Sequence, residues 1–198
     1  LKDSALIIFV KNPVLGKVKT RLAKTIGDEA ALAAYLHLLE VTRDIALGTN
    51  SDTYIFYSDS IDHDDLWQGR GFTKMLQRGD DLGQRMAHAF TTVLQSHQHV
   101  AIIGSDCGDL TSTIIERAFY SLKETDIVVG PSQDGGYYLL GMNEYQHTLF
   151  EHIEWSTDQV FKATLQRALQ AQLSVTELME LSDIDHELDW LRYQAKRQ

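Results

Sequence analysis

The chain has 198 residues, 43% of them apolar and 23% charged, with a formal net charge of -10 and a pI near 5.1. That length suits one folded domain, residues 1–198, with a substantial core. The acidity argues against nucleic acid or an anionic membrane as partner. The single cysteine, Cys107, excludes an internal disulfide and a multi-cysteine zinc site, which suits a cytoplasmic location.

Ala5–Val10 (ALIIFV) is a continuous apolar run rich in β-branched residues, the pattern of a strand buried on both faces. It is far short of the roughly 20 residues that span a bilayer, and no signal peptide is expected. A basic segment follows as a loop and a short helix that ends near Gly27. Asp28–Leu47 reads as a helix with Leu32, Leu36, Leu39 and Arg43 on one spacing and Gly48 as its stop. Thr53–Tyr57 is a second strand and Thr73–Leu76 a weaker third. Asp81–Ser96 predicts a helix whose inner face carries Leu82, Met86, Phe90 and Val93. Val100–Ile103 is a strand, Thr111–Leu122 a helix capped by Thr111, and Asp126–Val129 and Tyr137–Gly141 are strands. Thr157–Ala171 is a helix, Val175 lies in a short strand, and His186–Tyr193 forms a terminal helix. Strands alternate with helices, which predicts a mostly parallel sheet with ligand loops at the carboxyl ends of its strands.

Five of the eighteen basic residues fall in KNPVLGKVKTRLAK, Lys11–Lys24, which contains no acid. The segment directly follows the first strand, where an α/β fold places its phosphate site. It is not a P-loop, because Gly16-Lys17 is followed by Val18 and the position of the first glycine is Lys11. The competing reading is a solvated helix face. In IIGSDCGDL, Ile102–Leu110, Asp106 stands just past a central strand and is placed to hold Mg²⁺, with Asp109 near enough to help. The plainer role is a helix cap, for which Thr111 competes. Cys107 reads as a small buried hydrophobe.

GPSQDGGYYLLG, Gly130–Gly141, combines a hairpin signal with two glycines, Gly135 and Gly136, that permit close backbone approach to a ligand. In SDIDHELDW, Ser182–Trp190, an extended backbone points Asp183 and Asp185 the same way, toward a metal shared with Asp106. An acidic cap on the terminal helix explains them equally well. Arg85, in GDDLGQRMAHAF, is a candidate for a phosphate or base contact, or a surface ion pair. The eight histidines form no H-E-x-x-H pair.

FVKNPVLGKVKTRLA, DLGQRMAHAF, GSDCGDL, GPSQDGGYYLLG and WSTDQVFKATL occur together and in this order. With them the chain resembles the DUF2064 proteins, also called radical-SAM/selenodomain-associated transferase 1, of the GT-A nucleotide-diphospho-sugar transferase superfamily. More distantly it is similar to the 2-phospho-lactate guanylyltransferases. The resemblance implies a three-layer α/β/α GT-A (Rossmann-like) fold with a mostly parallel mixed sheet. It implies a nucleotide donor, a small-molecule acceptor and a divalent metal, Mg²⁺ or Mn²⁺. Phosphates would lie on Lys11, Gly16, Lys17, Lys19 and Arg21, metal on Asp106 with Asp185 and Asp183, and the acceptor beside Asp134, Gly135 and Gly136. Two departures stand out. Gly108 replaces the proline of S-D-x-P-x-L, and Asp185-His186-Glu187-Leu188-Asp189-Trp190 replaces D-T-P-x-D-L.

The reaction expected first is nucleotidyl transfer from a nucleoside triphosphate, with Lys19, Arg21 and Asp106 acting on the phosphates. The alternatives are glycosyl transfer from a nucleotide sugar, and a non-catalytic nucleotide-binding module.

Overall fold

A computed structural model describes residues 2–69 and 71–197. The elements, in chain order, are β1 (Ser4–Val10), α1 (Thr20–Ile26), α2 (Asp28–Leu47), β2 (Asp52–Tyr57), β3 (Phe72–Leu76), α3 (Leu82–Val93) and β4 (His99–Ile103). There follow α4 (Ser112–Ser121), β5 (Ile127–Pro131), β6 (Tyr137–Met142), a 3₁₀ turn (His147–Phe150), α5 (Val160–Gln170), β7 (Val175–Glu177) and α6 (Glu187–Ala195). Among the described residues the strands form one seven-stranded sheet in the order β3-β2-β1-β4-β6-β5-β7. β1 runs parallel to both β2 and β4, β2 to β3, and β5 to β7; β6 is antiparallel to β4 and β5. The expected mostly parallel mixed sheet is therefore present.

Side chains alternate across the sheet with a period of two. From β1, Leu6, Ile8 and Val10 enter one core with Tyr35 and Leu39 of α2 and Ile115 and Phe119 of α4. Ala5 and Ile7 enter the opposite core with Met86, Phe90 and Val93 of α3 and Ala168 of α5. Helices cover both faces, giving three layers, and this double burial is why β1 has no polar residue between Ala5 and Val10.

One expected helix face is rotated, and another loses its first residue. In α2 the buried residues are Ala31, Ala34, Tyr35, Leu38, Leu39, Thr42 and Ala46, while Leu36 is 41% exposed and Arg43 only partly buried. The many alanines of this helix let it pack closely along a stripe that its leucines alone do not mark. In α3, Leu82 is 42% exposed although Met86, Phe90 and Val93 are buried, and it stands over a cavity rather than in the core. Two helices are shorter than expected. α3 starts after its cap Asp81, whose side chain accepts from the Gln84 amide, and ends at Val93. α5 begins at Val160, because Ser156 adopts φ 64 and Thr157 donates back to the Glu154 carbonyl. Thr111 caps α4 as expected, accepting from the Ile114 amide.

β5 and β6 form the hairpin foreseen in GPSQDGGYYLLG. Its turn is closed by the Ser132 amide on the Gly136 carbonyl at 3.0 Å and by the Gly136 amide on Asp134 Oδ1 at 2.9 Å. Gly135 has φ 87, and a methyl group there would run into the backbone carbonyl of Asp158. The Phe161 amide also donates to the Gly135 carbonyl at 2.9 Å, so the turn is bolted to the start of α5. Gly136 has no such constraint; its nearest obstacle is Asp134 Oδ1 at 3.2 Å. Gly135→Ala is therefore expected to destabilise the chain by about 1–3 kcal/mol, the range of overpacked sites, and Gly136→Ala by clearly less. Urea unfolding of both variants measures the difference; equal losses would refute this packing account.

Candidate functional site

β1 and β4 lie side by side and parallel, so the loops leaving their carboxyl ends meet. They open onto a cavity of about 550 Å³ lined by Lys11, Lys19, Arg21, Arg85, Asp106, Asp183 and Asp185 among others. Seven of the candidate residues are thus brought together from four separated stretches of chain. Gly16 and Lys17 do not line the cavity: both are exposed, and Gly16 turns at φ 75 toward Asp28. Asp134, Gly135 and Gly136 also lie outside the lining, although Asp134 is near enough to act electrostatically on Asp183. Asp109 is turned away from the cavity and pairs with Lys196 at 2.5 Å.

The choice between Lys17 and Lys19 is made by the backbone. Lys19 precedes α1 in the left-handed conformation, φ 47 and ψ 42, which is uncommon for a residue with a Cβ. The turn drives its side chain inward, where it is 4% exposed. Its ammonium lies 2.5 Å from Asp106 Oδ1 and 3.7 Å from Asp185 Oδ1, and donates to the Ile184 carbonyl at 2.8 Å. Arg21, one helical residue further on and exposed, donates to Asp185 Oδ2 at 2.8 Å. A buried ammonium requires such partners, because its desolvation is otherwise prohibitive.

Asp183 has less compensation. Its carboxyl is pushed up to about 7 by burial first, then by the negative charges of Asp106 and Asp134; a hydrogen bond from Ser132 Oγ at 2.9 Å and the charge of Lys19 pull the other way. The three carboxylates are hard oxygen donors of the kind that suits Mg²⁺ or Mn²⁺. The ammonium they already hold shows that they accommodate a cation. Among the described residues no three His, Cys, Asp or Glu side chains converge to hold a metal; Lys19 Nζ stands among these carboxylates instead. The donor atoms suit a divalent ion in their chemistry, while their present arrangement is closed around the Lys19 ammonium.

Residues absent from the expected set complete the site. Tyr35 of α2 is buried beneath the basic loop. Its hydroxyl accepts from the Lys11 amide at 2.8 Å, donates to the Lys11 carbonyl at 3.0 Å, and lies 3.4 Å from Ser105 Oγ. It ties the loop after β1 to the loop after β4. Gln77 Nε2 donates to the carbonyls of Phe56 at 2.9 Å and Val10 at 3.3 Å, holding the strand ends together at the rim. A tyrosine on an amphipathic helix reads as core, and nothing local to it signals these bonds. Cys107 is buried and its thiol is pushed up to about 12 by burial and the charge of Asp183, which supports the inert reading.

The open sheet with the cavity at its strand ends is the fold of the GT-A nucleotide-diphospho-sugar transferases. Residues 41–157, more than half of the chain, match the family described as "Uncharacterized protein conserved in bacteria (DUF2064)". A crystal structure from Desulfovibrio desulfuricans G20, provisionally named a nucleotide-diphospho-sugar transferase, is 30% identical over 100% of this chain and 89% of its own, with a TM-score of 0.92. The chain belongs to the DUF2064 family. Two more distant structures share the fold. The manganese complex of Rv0371C from Mycobacterium tuberculosis H37Rv is 14% identical with TM-score 0.59, covering 97% of this chain and 98% of that one. The inositol-1-phosphate CTP transferase from T. maritima is 15% identical with TM-score 0.62, covering 96% and 93%. No curated protein matches the chain in sequence.

Asp183 carries a prediction with a definite sign. Its folded value is about 7 against 3.8 unfolded, so between these values the folded state holds the extra proton. The stability this group contributes is full below about pH 4 and is lost as pH rises through about 7. In EDTA, wild type is expected to lose more stability than Asp183→Asn between pH 5 and pH 8 in urea titrations. Parallel pH profiles would contradict the assignment. Cys107 is expected to react with a thiol reagent only after unfolding.

Proposed function

We propose that this chain is a metal-dependent transferase acting on a nucleotide donor, and that its reaction is nucleotidyl transfer from a nucleoside triphosphate. The observation that carries the reading is one cavity in which Lys11, Lys19, Arg21 and Arg85 face Asp106, Asp183 and Asp185. A triphosphate is dense in negative charge and matches four cations better than a neutral sugar does. The names of the Desulfovibrio and T. maritima proteins, and the manganese bound by the mycobacterial one, support the same class.

In this reading an acceptor oxygen attacks the α-phosphorus, a new P–O bond forms, and the bond to the bridging oxygen of the β-phosphate breaks to release pyrophosphate. Little covalent work falls to the protein, whose part is positioning and charge neutralisation. Lys11, Lys19 and Arg21 bind the phosphates and stabilise the charge that grows on the leaving pyrophosphate. Asp106, with Asp185 and Asp183, would hold Mg²⁺ or Mn²⁺, which when bound supplies Lewis-acid polarisation of the phosphates. Arg85 lines the far wall beside Leu82 and Met86, where the rest of the nucleotide or the acceptor has room. Gly16 and Lys17 belong to the outer lip of the phosphate loop, and the Asp134–Gly136 turn backs the acceptor side through Asp183. Residues 1–198 act as one domain, a reading supported by the single sheet whose strands run from Ser4 to Glu177, and the lone buried thiol suits a reducing cytoplasm.

Glycosyl transfer from a nucleotide sugar is the second reading, favoured by the name of the Desulfovibrio protein. A panel of triphosphates and nucleotide sugars with Mg²⁺, read by pyrophosphate release and by sugar consumption, separates the two. Release from one triphosphate is expected; consumption of a nucleotide sugar without pyrophosphate would replace the first reading with the second. Arg21→Ala is expected to weaken triphosphate binding by about tenfold or more, the worth of one charge-assisted hydrogen bond. Unchanged affinity in calorimetry would remove Arg21 from the phosphate site, and binding without turnover of any donor would leave a nucleotide-binding module.

A further inference from the structure

Lys19 is the least ordinary residue in the cavity. Its side chain is 4% exposed, yet it carries a full charge on a loop whose other basic residues face solvent. Its backbone is held at φ 47, ψ 42, a conformation of real cost for a residue with a Cβ. Its ammonium touches an oxygen of Asp106 at 2.5 Å, the Ile184 carbonyl at 2.8 Å, and lies 3.7 Å from Asp185. All three partners are hard oxygens, and two belong to the carboxylates that would take a divalent ion. One ammonium and one divalent cation would compete for these oxygens, since two positive centres a few ångströms apart repel strongly in a partly desolvated site.

We infer that Lys19 is the resident counter-ion of this carboxylate group and that a divalent metal binds by displacing its ammonium, which is then free to serve the donor's phosphates. The inference rests on the metal-dependent reading above and adds an order to it. Without metal, Lys19 neutralises Asp106 and Asp185 and stays out of reach of a ligand in the cavity. Arg21 keeps one oxygen of Asp185 in place throughout, because it approaches from the exposed side and binds Oδ2, while Lys19 faces Oδ1. The exchange is chemically economical: the carboxylates never lack a cation, and the phosphate site gains its innermost cation only when the metal is present. Metal and nucleotide would then bind cooperatively, each favouring the displaced position of one side chain.

Amine acylation of the wild-type chain followed by mass spectrometry tests this without any substrate. In EDTA, Lys19 is expected to react at least about tenfold more slowly than exposed Lys17, as its burial in an ion pair requires. Saturating Mn²⁺, with occupancy read by the loss of the free-ion paramagnetic resonance signal, is expected to raise the Lys19 rate, the reverse of ordinary ligand protection. Lys19→Met is expected to bind Mn²⁺ about tenfold more tightly than wild type, because one positive charge within 4 Å has been removed; Asp106→Asn is expected to lose the ion. Mn²⁺ bound with Lys19 still protected would overturn the exchange. So would equal or weaker Mn²⁺ affinity in Lys19→Met, or no Mn²⁺ binding by either chain. Tight binding by Lys19→Met alone would also overturn it, because wild type would then not exchange its ammonium for the metal. Pyrophosphate release is a separate readout: a chain that exchanges Lys19 for Mn²⁺ but releases none would keep this inference and defeat nucleotidyl transfer.

Discussion

Three carboxylates are gathered at one end of the sheet, and their mutual repulsion is the constraint around which the rest of the site is arranged. Asp106 comes from the loop after β4, Asp183 and Asp185 from the segment between β7 and α6. Left alone, these charges would push the two segments apart. Lys19 is the positive charge that holds them, and it arrives from a third segment, the loop after β1. Its hydrogen bond to Ile184 and its ion pair with Asp106 join residues 165 positions apart in one case and the loops of the adjacent strands β1 and β4 in the other. The residual strain shows at Asp183, whose proton affinity is raised because burial and two neighbouring acids outweigh the help of Lys19 and Ser132.

The same constraint explains the terminal helix. Ile184 donates its amide to the Asp106 carbonyl at 3.0 Å, Lys196 pairs with Asp109, and the Arg197 guanidinium donates to the Gly108 carbonyl at 3.2 Å while lying over the Tyr193 ring. Tyr193 in turn sits so close to Gly108 that a Cβ there would fall 2.5 Å from its ring. Glycine at 108 admits the tyrosine, and the loop is held from outside by α6 and the residues that follow it. Ile184, from the DIDHELDW segment, also packs beside Gly108, so that segment and α6 hold the loop together.

Much of the architecture was legible because double burial writes itself as unbroken apolar runs. ALIIFV, VAII and YYLL each stand on a central strand with both faces covered. Asp106 was legible for a related reason, since a carboxylate directly after such a run must sit at the strand's end. The α2 face was not, because alanines at Ala31, Ala34 and Ala46 mark close packing while hydrophobicity draws attention to Leu36, which is exposed. Nor did the basic segment reveal which lysine turns inward. Lys17 and Lys19 are equivalent in composition, and the difference lies in a left-handed backbone at Lys19 that is ordinarily announced by glycine or asparagine. The bonds of Tyr35 and Gln77 were hidden for a third reason: they go to backbone groups distant in sequence, and backbone groups carry no residue signature.

The cavity's asymmetry bears on what the fold can discriminate. Lys19 and Arg21 meet Asp106 and Asp185 where the loop after β1 approaches the loop after β4, while Phe9, Leu82, Met86 and Tyr137 contribute apolar or aromatic surface to the lining. Phosphates are drawn to the first region by charge, whichever nucleotide carries them, and this part of the site is common to nucleotidyl and glycosyl transfer. The two reactions differ in the atom presented to the acceptor, the α-phosphorus in one and a sugar carbon beyond the β-phosphate in the other. That difference is about four bonds of reach along the donor, from the α-phosphorus through the bridging oxygen, the β-phosphorus and its outer oxygen to the sugar carbon. Under the proposed exchange, a buried Lys19 would keep the innermost phosphate position closed and a displaced one would open it.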